Sequence, residues 1–364
     1  MKSPPRVRLC LAAVLAFAGA TARAGDETAV GPSSEESLLT RQERSPWLLV
    51  PLLGSGPKLG TTLGLMGAYI LRMDAQSSPS LVGVQAKWSD TGSQVVGAGG
   101  ELYFHGNRDL LLFGVAGGHI SNDYLDFLGT GQQVRSEENL SGLFMRYQHE
   151  FLPNLYLGAQ AIRTNYGVRG LDPISEQMLD LAGLVGVNAA GVGLAFTYDS
   201  RDNKHNPSTG MLAQFNNVAY RESLGGDVSY DVYNADWRRY MLAGKNNVLA
   251  LHAGGSWTHD APPSREATVE MRGYTFGQYL GKNQLFFEAE DRYSVHPKWG
   301  PKVFAGLTCL YGDGKSCSGD QLYPMAGLGA FYVLKPKEHM LVSVEFAQGK
   351  GDNQGFYIRF GNSF

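Results

Sequence analysis

Long apolar runs are missing from this 364-residue chain. A membrane-crossing helix needs roughly 20 mainly apolar residues. The nearest stretch past the first 24 residues, Leu181 to Tyr198, holds four glycines and an asparagine. It reads as loop plus strand, which excludes a helical membrane protein. Charge is scarce too, at 18% of residues, and no basic cluster exists to grip a phosphate backbone, so no nucleic-acid partner is expected. Cysteine is limited to three. Structural zinc needs four ligands, and two of the cysteines with eight scattered histidines do not supply them. "GDGKSCSGD" holds Asp313 and Asp320 but does not match a calcium loop. No metal and no cofactor is expected.

What is present begins with a leader. Lys2, Arg6 and Arg8 precede an apolar run from Leu9 to Ala20, and Ala22-Arg23-Ala24 forms an A-x-A site. Residues 1–24 read as a signal peptide, and Cys10 lies too far from the cleavage point to carry a lipid anchor. Removing Lys2, Arg6, Arg8 and Arg23, with no acid lost, takes the formal charge from −3 to −7. Residues 25–45 then form a short periplasmic segment, and 46–364 the main domain. The destination is the bacterial outer membrane. An exported chain with 47 glycines and 11% aromatics, lacking membrane helices, points to a transmembrane β-barrel, the other structure that satisfies every backbone polar group in lipid.

The pattern supports this. In "GFYIRFGNSF", Phe356, Ile358, Phe360 and Phe364 fall on one face and Tyr357, Arg359, Gly361 and Ser363 on the other. Period two marks a strand with one oily side and one wet side. Leu143, Met145 and Tyr147 alternate with Arg146, Gln148 and Glu150, and Met340, Val342, Val344 and Phe346 with Ser343 and Glu345. Such runs predict sixteen antiparallel strands, starting near residues 46, 60, 80, 93, 108, 137, 153, 190, 209, 229, 246, 283, 299, 322, 339 and 354. Short polar turns such as "HGNR", "LPN" and "KPKEH" follow even-numbered strands. Most long connections follow odd-numbered ones: Asn122 to Ser136, Gly167 to Ala189, Asp260 to Lys282 and Gly312 to Gln321. Outer-membrane barrels have short periplasmic turns and long outer loops, so the chain starts on the periplasmic side.

Three motifs fall at telling places. "YDSRDNKHNPSTG" lies on the periplasmic side between strands eight and nine, "MRGY" in the outer loop between strands eleven and twelve, and "FGNSF" closes the sequence. Together they resemble the outer-membrane assembly-barrel superfamily that includes BamA, TamA and the two-partner secretion transporters, also called the bacterial surface antigen barrels. The matching residues are Asp199, Arg201, Asp202, Pro207 and Gly210; Met271, Arg272, Gly273 and Tyr274; and Gly361 and Phe364 with the aromatic face of the last strand. The resemblance implies assistance to membrane-protein assembly, or translocation of polypeptide or lipid, with no bond chemistry. It also implies a loop tip folded back into the lumen, its arginine facing acidic wall residues. Two departures stand out. Residues 25–44 are too few for a periplasmic POTRA module, which leaves open whether a separate periplasmic partner replaces it or the barrel works alone. The strand "KVFAGLTCLYG" also lacks the acid that the family tends to place there.

With that acid absent, Glu288 and Glu290 are the expected partners of Arg272. They share a face with Arg292, opposite Phe287, Ala289 and Tyr293, and carboxylates facing lipid are costly, so their face is the lumen. Pro51, inside the first strand, cannot donate to a ladder and predicts a short, weak closure against strand sixteen. Alternatively, residues 46–53 run along the wall and a later strand closes the barrel. Cys309 and Cys317 are expected to pair across the seventh outer loop, the alternative being two free thiols. Two other functions remain open: a passive diffusion channel, and an outer-membrane lipid hydrolase using Ser256 and His252. No G-x-S-x-G supports the latter.

Overall fold

The computed structural model describes residues 45–56, 60–124, 133–181, 183–184, 186–204, 206–274, 278–336, 339–351 and 353–364. The expected signal peptide and most of the short N-terminal segment lie outside the described residues. Sixteen antiparallel strands close into one barrel in chain order. They are β1 (Trp47–Gly56), β2 (Gly60–Leu71), β3 (Ser80–Ser89), β4 (Gln94–Phe104), β5 (Asp109–Tyr124), β6 (Val134–Leu152), β7 (Leu155–Gly170) and β8 (Ala189–Asp199). The second half comprises β9 (Gly210–Tyr220), β10 (Tyr230–Leu242), β11 (Asn247–His259), β12 (Asn283–Tyr293), β13 (Trp299–Tyr311), β14 (Leu322–Lys335), β15 (Met340–Gln348) and β16 (Gln354–Phe360). Every strand begins within three residues of the position that alternation marks.

Each strand sorts its side chains by solvent. Outward positions are apolar and exposed, as at Leu143, Met145, Leu194, Val303 and Leu328, while Gln85, Gln148, Gln160, Glu288, Lys302 and Glu345 are buried inside. A soluble protein does the reverse. Exposed aromatics gather near the periplasmic strand ends (Trp47, Tyr69, Tyr147, Tyr293, Trp299, Tyr332), with Trp88 and Tyr233 near the outer ends. Amphipathic rings favour the two membrane interfaces. Asp291, on the outward face, lies at the periplasmic end of its strand and accepts from the Asn247 amide at 3.1 Å.

Two outer connections differ from expectation. Alternation predicts a loop over Asn122 to Ser136, yet β5 and β6 stay in register out to Tyr124 and Val134. Above the bilayer a strand pair needs no oily outer face, so its pattern there resembles loop. The connection after β7 contains a helix, α1 (Pro173–Leu181). Its Leu179 packs with Val134 and Leu184. The loop between β11 and β12 carries a two-residue ladder, Ala267–Thr268 against Leu280–Gly281.

Closure is uneven. β1 pairs with β2 at ten positions, Pro51 opposite Leu65 among them. It pairs with β16 at three: Leu53 with Ile358, Gly54 with Tyr357 and Ser55 with Phe356. Below Leu53 the two ends meet through side chains. Leu48, Val50, Met66, Ala68, Leu81 and Met340 form one buried cluster, with Val342 and Phe360 packed against it. Leu48 and Val50 lie on the face of β1 opposite the exposed Trp47 and Leu49. Val342 and Phe360 share the face of the exposed Val344, Phe346 and Phe356. The inner face of β1 therefore overlaps the outer face of β15 and β16.

Candidate functional site

The site is built around the outer loop between β11 and β12. Gly273, at φ +85, takes a left-handed turn that a side chain would strain, and an added Cβ would sit 3.1 Å from the Gly349 nitrogen. This turn presents Arg272 to the inner wall. The guanidinium donates to Glu288, to Glu290 at 2.7 Å and to Glu345 at 3.3 Å. Glu290 is the eighth residue of β12's eleven, so the contact lies nearer the periplasmic end of that strand than its outer end. Arg272 is 6% exposed and Glu290 0%. Charges so confined require partners.

The partners form a network. Glu290 also accepts from Arg292 at 2.7 Å and lies 3.7 Å from Lys302. Glu345 pairs with Lys302 and lies 3.5 Å from Arg359. Four cations thus face three carboxylates, and Glu288 alone among the three acids has Arg272 as its one ion-pair partner among the described residues. Sequence reasoning named Glu288 and Glu290 and missed Glu345, Lys302 and Arg359 as members. The signal existed: in "MLVSVEFAQ", Glu345 alternates onto the wet face. What the local pattern lacks is the fold, since Glu345 and Arg272 are 73 residues apart.

The strand "KVFAGLTCLYG", which lacks an acid, contributes Phe304. The Arg272 Cζ lies 3.4 Å from its ring centroid, close enough for a cation–π contact. The loop backbone and flanks are clamped as well. Gly273 N–H donates to the Tyr357 hydroxyl of β16 at 2.9 Å. The Tyr274 hydroxyl donates to the Pro324 carbonyl at 2.6 Å and accepts from Lys350 N–H at 2.7 Å. Met271 and Tyr274 join Val269, Phe304, Leu310, Tyr323, Met325 and Ala347 in an apolar cluster.

The motif at the end of the chain requires a correction. Phe364 was expected on the oily face with Phe356, Ile358 and Phe360. Instead β16 ends at Phe360, and Gly361 at φ +84 redirects the backbone. Phe364 is buried with Tyr240 and Ala250. Its backbone oxygen accepts from Arg292 at 2.9 Å, and its ring lies 5.9 Å from the Arg272 guanidinium. Asn362 donates to Asn206 of the periplasmic turn at 3.0 Å. In that turn Arg201 grips Asp199 with two bonds of 2.8 Å. Asp202 accepts three backbone N–H groups, Pro207 is buried and Gly210 takes φ +99. The turn also reaches the far wall, where the Lys204 ammonium sits 4.1 Å from the Tyr103 ring centroid.

Cys309 and Cys317 are disulfide-bonded, with Cα atoms 5.4 Å apart. The hydrolase residues do not assemble. His252 Nε2 is 2.6 Å from Asp236 Oδ2, and Phe286 and Phe364 flank its ring. Ser256 lies four residues further along the same strand, about 13 Å away at strand rise, beyond hydrogen-bond reach. Among the described residues no group of His, Cys, Asp or Glu is placed to hold a metal.

These features define a 16-stranded outer-membrane barrel whose loop arginine is bound by carboxylates of the inner wall. Residues 185–278 match the Omp85 superfamily domain. Solved structures share the fold. BamA from Haemophilus ducreyi lacking POTRA domains 1–3 aligns with TM-score 0.55 and 12% identity, over 87% of this chain and 70% of that one. CdiB from Acinetobacter baumannii gives 0.60 and 11%, over 86% and 59%. CdiB from Escherichia coli gives 0.60 and 11%, over 86% and 62%. The chain thus spans about three fifths of each CdiB chain. No curated protein matches it.

Proposed function

We propose that this barrel assists insertion of polypeptide into the outer membrane, or its translocation across it, through the β1–β16 seam. The carrying observation is the inequality of the two β1 interfaces, ten register pairs against three. An incoming strand that adds to a sheet edge gains main-chain hydrogen bonds. Here it would displace few of them, because side chains close the rest of the seam. The Arg272 loop, folded into the lumen in this reading, acts as an internal plug. A plug fastened to Glu288, Glu290 and Glu345 argues against a freely open diffusion channel. Outer-membrane lipids bathe the exposed apolar faces, and a periplasmic partner would present the client. Nothing in this reading needs bond chemistry or a cofactor.

The test is a cysteine lock. Leu53→Cys with Ile358→Cys places thiols on directly paired residues. Cells lacking the native protein would carry the locked barrel, and their outer-membrane and secreted proteins would be quantified with and without reductant. Loss of a defined set of polypeptides in the locked state, restored by reductant, supports the proposal. A fully locked barrel that leaves both proteomes unchanged overturns it, and altered outer-leaflet lipid alone would redirect the client to lipid.

A further inference from the structure

Away from the lumen, the outer surface carries a polar cluster at the periplasmic membrane interface. Asp109 begins β5 and pairs in register with His149 of β6, on the lipid-facing side that includes Leu143 and Met145. Its carboxylate is buried and takes three donors: the Tyr147 hydroxyl at 2.5 Å, His149 Nδ1 at 2.7 Å and His105 Nδ1 at 2.5 Å. The His105 and His149 side chains remain 79% and 54% exposed. Arg108, also exposed, lies in the same turn.

The turn is built rather than loose. His105, Gly106 and Asn107 all hold positive φ. Asp74 accepts the His105 N–H at 2.8 Å, and the Asn107 side chain accepts the Ser78 N–H at 2.6 Å. Tyr156 donates to the Asn107 carbonyl at 3.2 Å. Two adjacent periplasmic turns are thereby tied together.

The neighbourhood is oily on one side. Along the hydrogen-bonded row, His149 pairs with Leu157, Leu157 with Phe196, and Phe196 with Phe215. These three apolar residues, with Phe151, are exposed. A polar end thus adjoins a strip suited to acyl chains.

We propose that His105, Arg108 and His149 bind the phosphate of an anionic glycerophospholipid of the inner leaflet, with its acyl chains along Leu157, Phe196 and Phe215. Asp109 and Tyr147 are positioning residues. By occupying each Nδ1, Asp109 leaves each Nε2 as the free ring atom. In the protonated imidazole that atom donates to a phosphate oxygen. The other charged groups at the cluster are Asp74, Arg108 and Glu150.

The test uses the full chain in detergent micelles, titrated with phosphatidylglycerol, phosphatidylcholine or inorganic phosphate and read by native mass spectrometry. At pH 6 wild type should retain phosphatidylglycerol over phosphatidylcholine, and a His105→Gln, His149→Gln double variant should lose on the order of tenfold in that preference. Unboiled-gel migration confirms that the variant is folded, and a Leu157→Ala variant checks the acyl strip. Phosphate that competes as well as the lipid would overturn the acyl part of the proposal. No lipid preference at pH 6, or a preference unchanged in the double variant, would overturn the site.

Discussion

Removal of the Arg272 guanidinium exposes how the loop is held. Glu290 would keep Arg292 and Lys302, and Glu345 would keep Lys302 and Arg359. Glu288 would keep no ion-pair partner among the described residues. The wall itself would go from four cations against three carboxylates to three against three, so the barrel should remain closed. The loss should concentrate at one pair. Coupling energies between contacting charges run from about 0.5 to 3 kcal/mol, and stranding a buried charge sits at the upper end. Double-mutant cycles of Arg272→Ala should therefore give about 2–3 kcal/mol with Glu288→Ala and under about 1 kcal/mol with Glu290→Ala or Glu345→Ala. The readout is amide exchange and limited proteolysis of residues 271–274, with boiled and unboiled gel migration confirming a folded barrel. Equal coupling to all three acids, or none to Glu288, would refute the argument that Arg272 is this acid's particular partner.

Three further outcomes are expected. Cys317→Ser should speed cleavage of the β13–β14 loop, since closing a loop this short contributes about 2–3 kcal/mol; unchanged cleavage would show that the disulfide braces nothing. Gly273→Ala should loosen the Arg272 loop by about 1–2 kcal/mol through left-handed strain, visible as faster exchange at Arg272 and Tyr274, while an alanine equal to glycine would contradict the turn geometry. In the β2–β3 turn the Ser77 hydroxyl, with backbone N–H groups of Ser77, Gln76 and His105, holds Asp74 below the usual carboxylate range. Its contribution is therefore complete above about pH 4 and disappears as pH falls through the depressed folded value. Asp74→Ala should speed exchange at His105 at pH 7, and the gap from wild type should close in strong acid.

How much was visible beforehand follows from the solvent outside the barrel. Oil on one face and a polar lumen on the other force period two, so strand starts and the inward facing of Glu288 and Glu290 could be read directly. The periodicity weakens wherever a strand leaves the bilayer, which is why the outer tips of β5 and β6, Asn122–Tyr124 and Val134–Ser136, resembled loop. It also gives no warning when a backbone departs from the wall. Phe364 continues the aromatic series of Phe356, Ile358 and Phe360, yet Gly361 redirects it inward, and only glycine's tolerance of positive φ hinted at this. Phe304 was invisible for another reason. Its strand lacks the family's acid, and a ring face can hold a guanidinium without one.

The loop and the seam are not separate devices. Tyr357 is one of the three β16 residues in register with β1, and its hydroxyl accepts the Gly273 N–H. Two residues on, Arg359 approaches Glu345, which also binds Arg272. The strand that makes the weak closure therefore also holds the loop backbone and one of its carboxylates. Below Leu53 that closure relies on packing of Leu48 and Val50 against Val342 and Phe360. Apolar side chains can slide over one another without leaving a polar group unpaired, whereas moving Arg272 would break charge-assisted bonds. The seam is thus the softer of the two connected parts, and a β16 that shifts first would take the Tyr357 clamp with it.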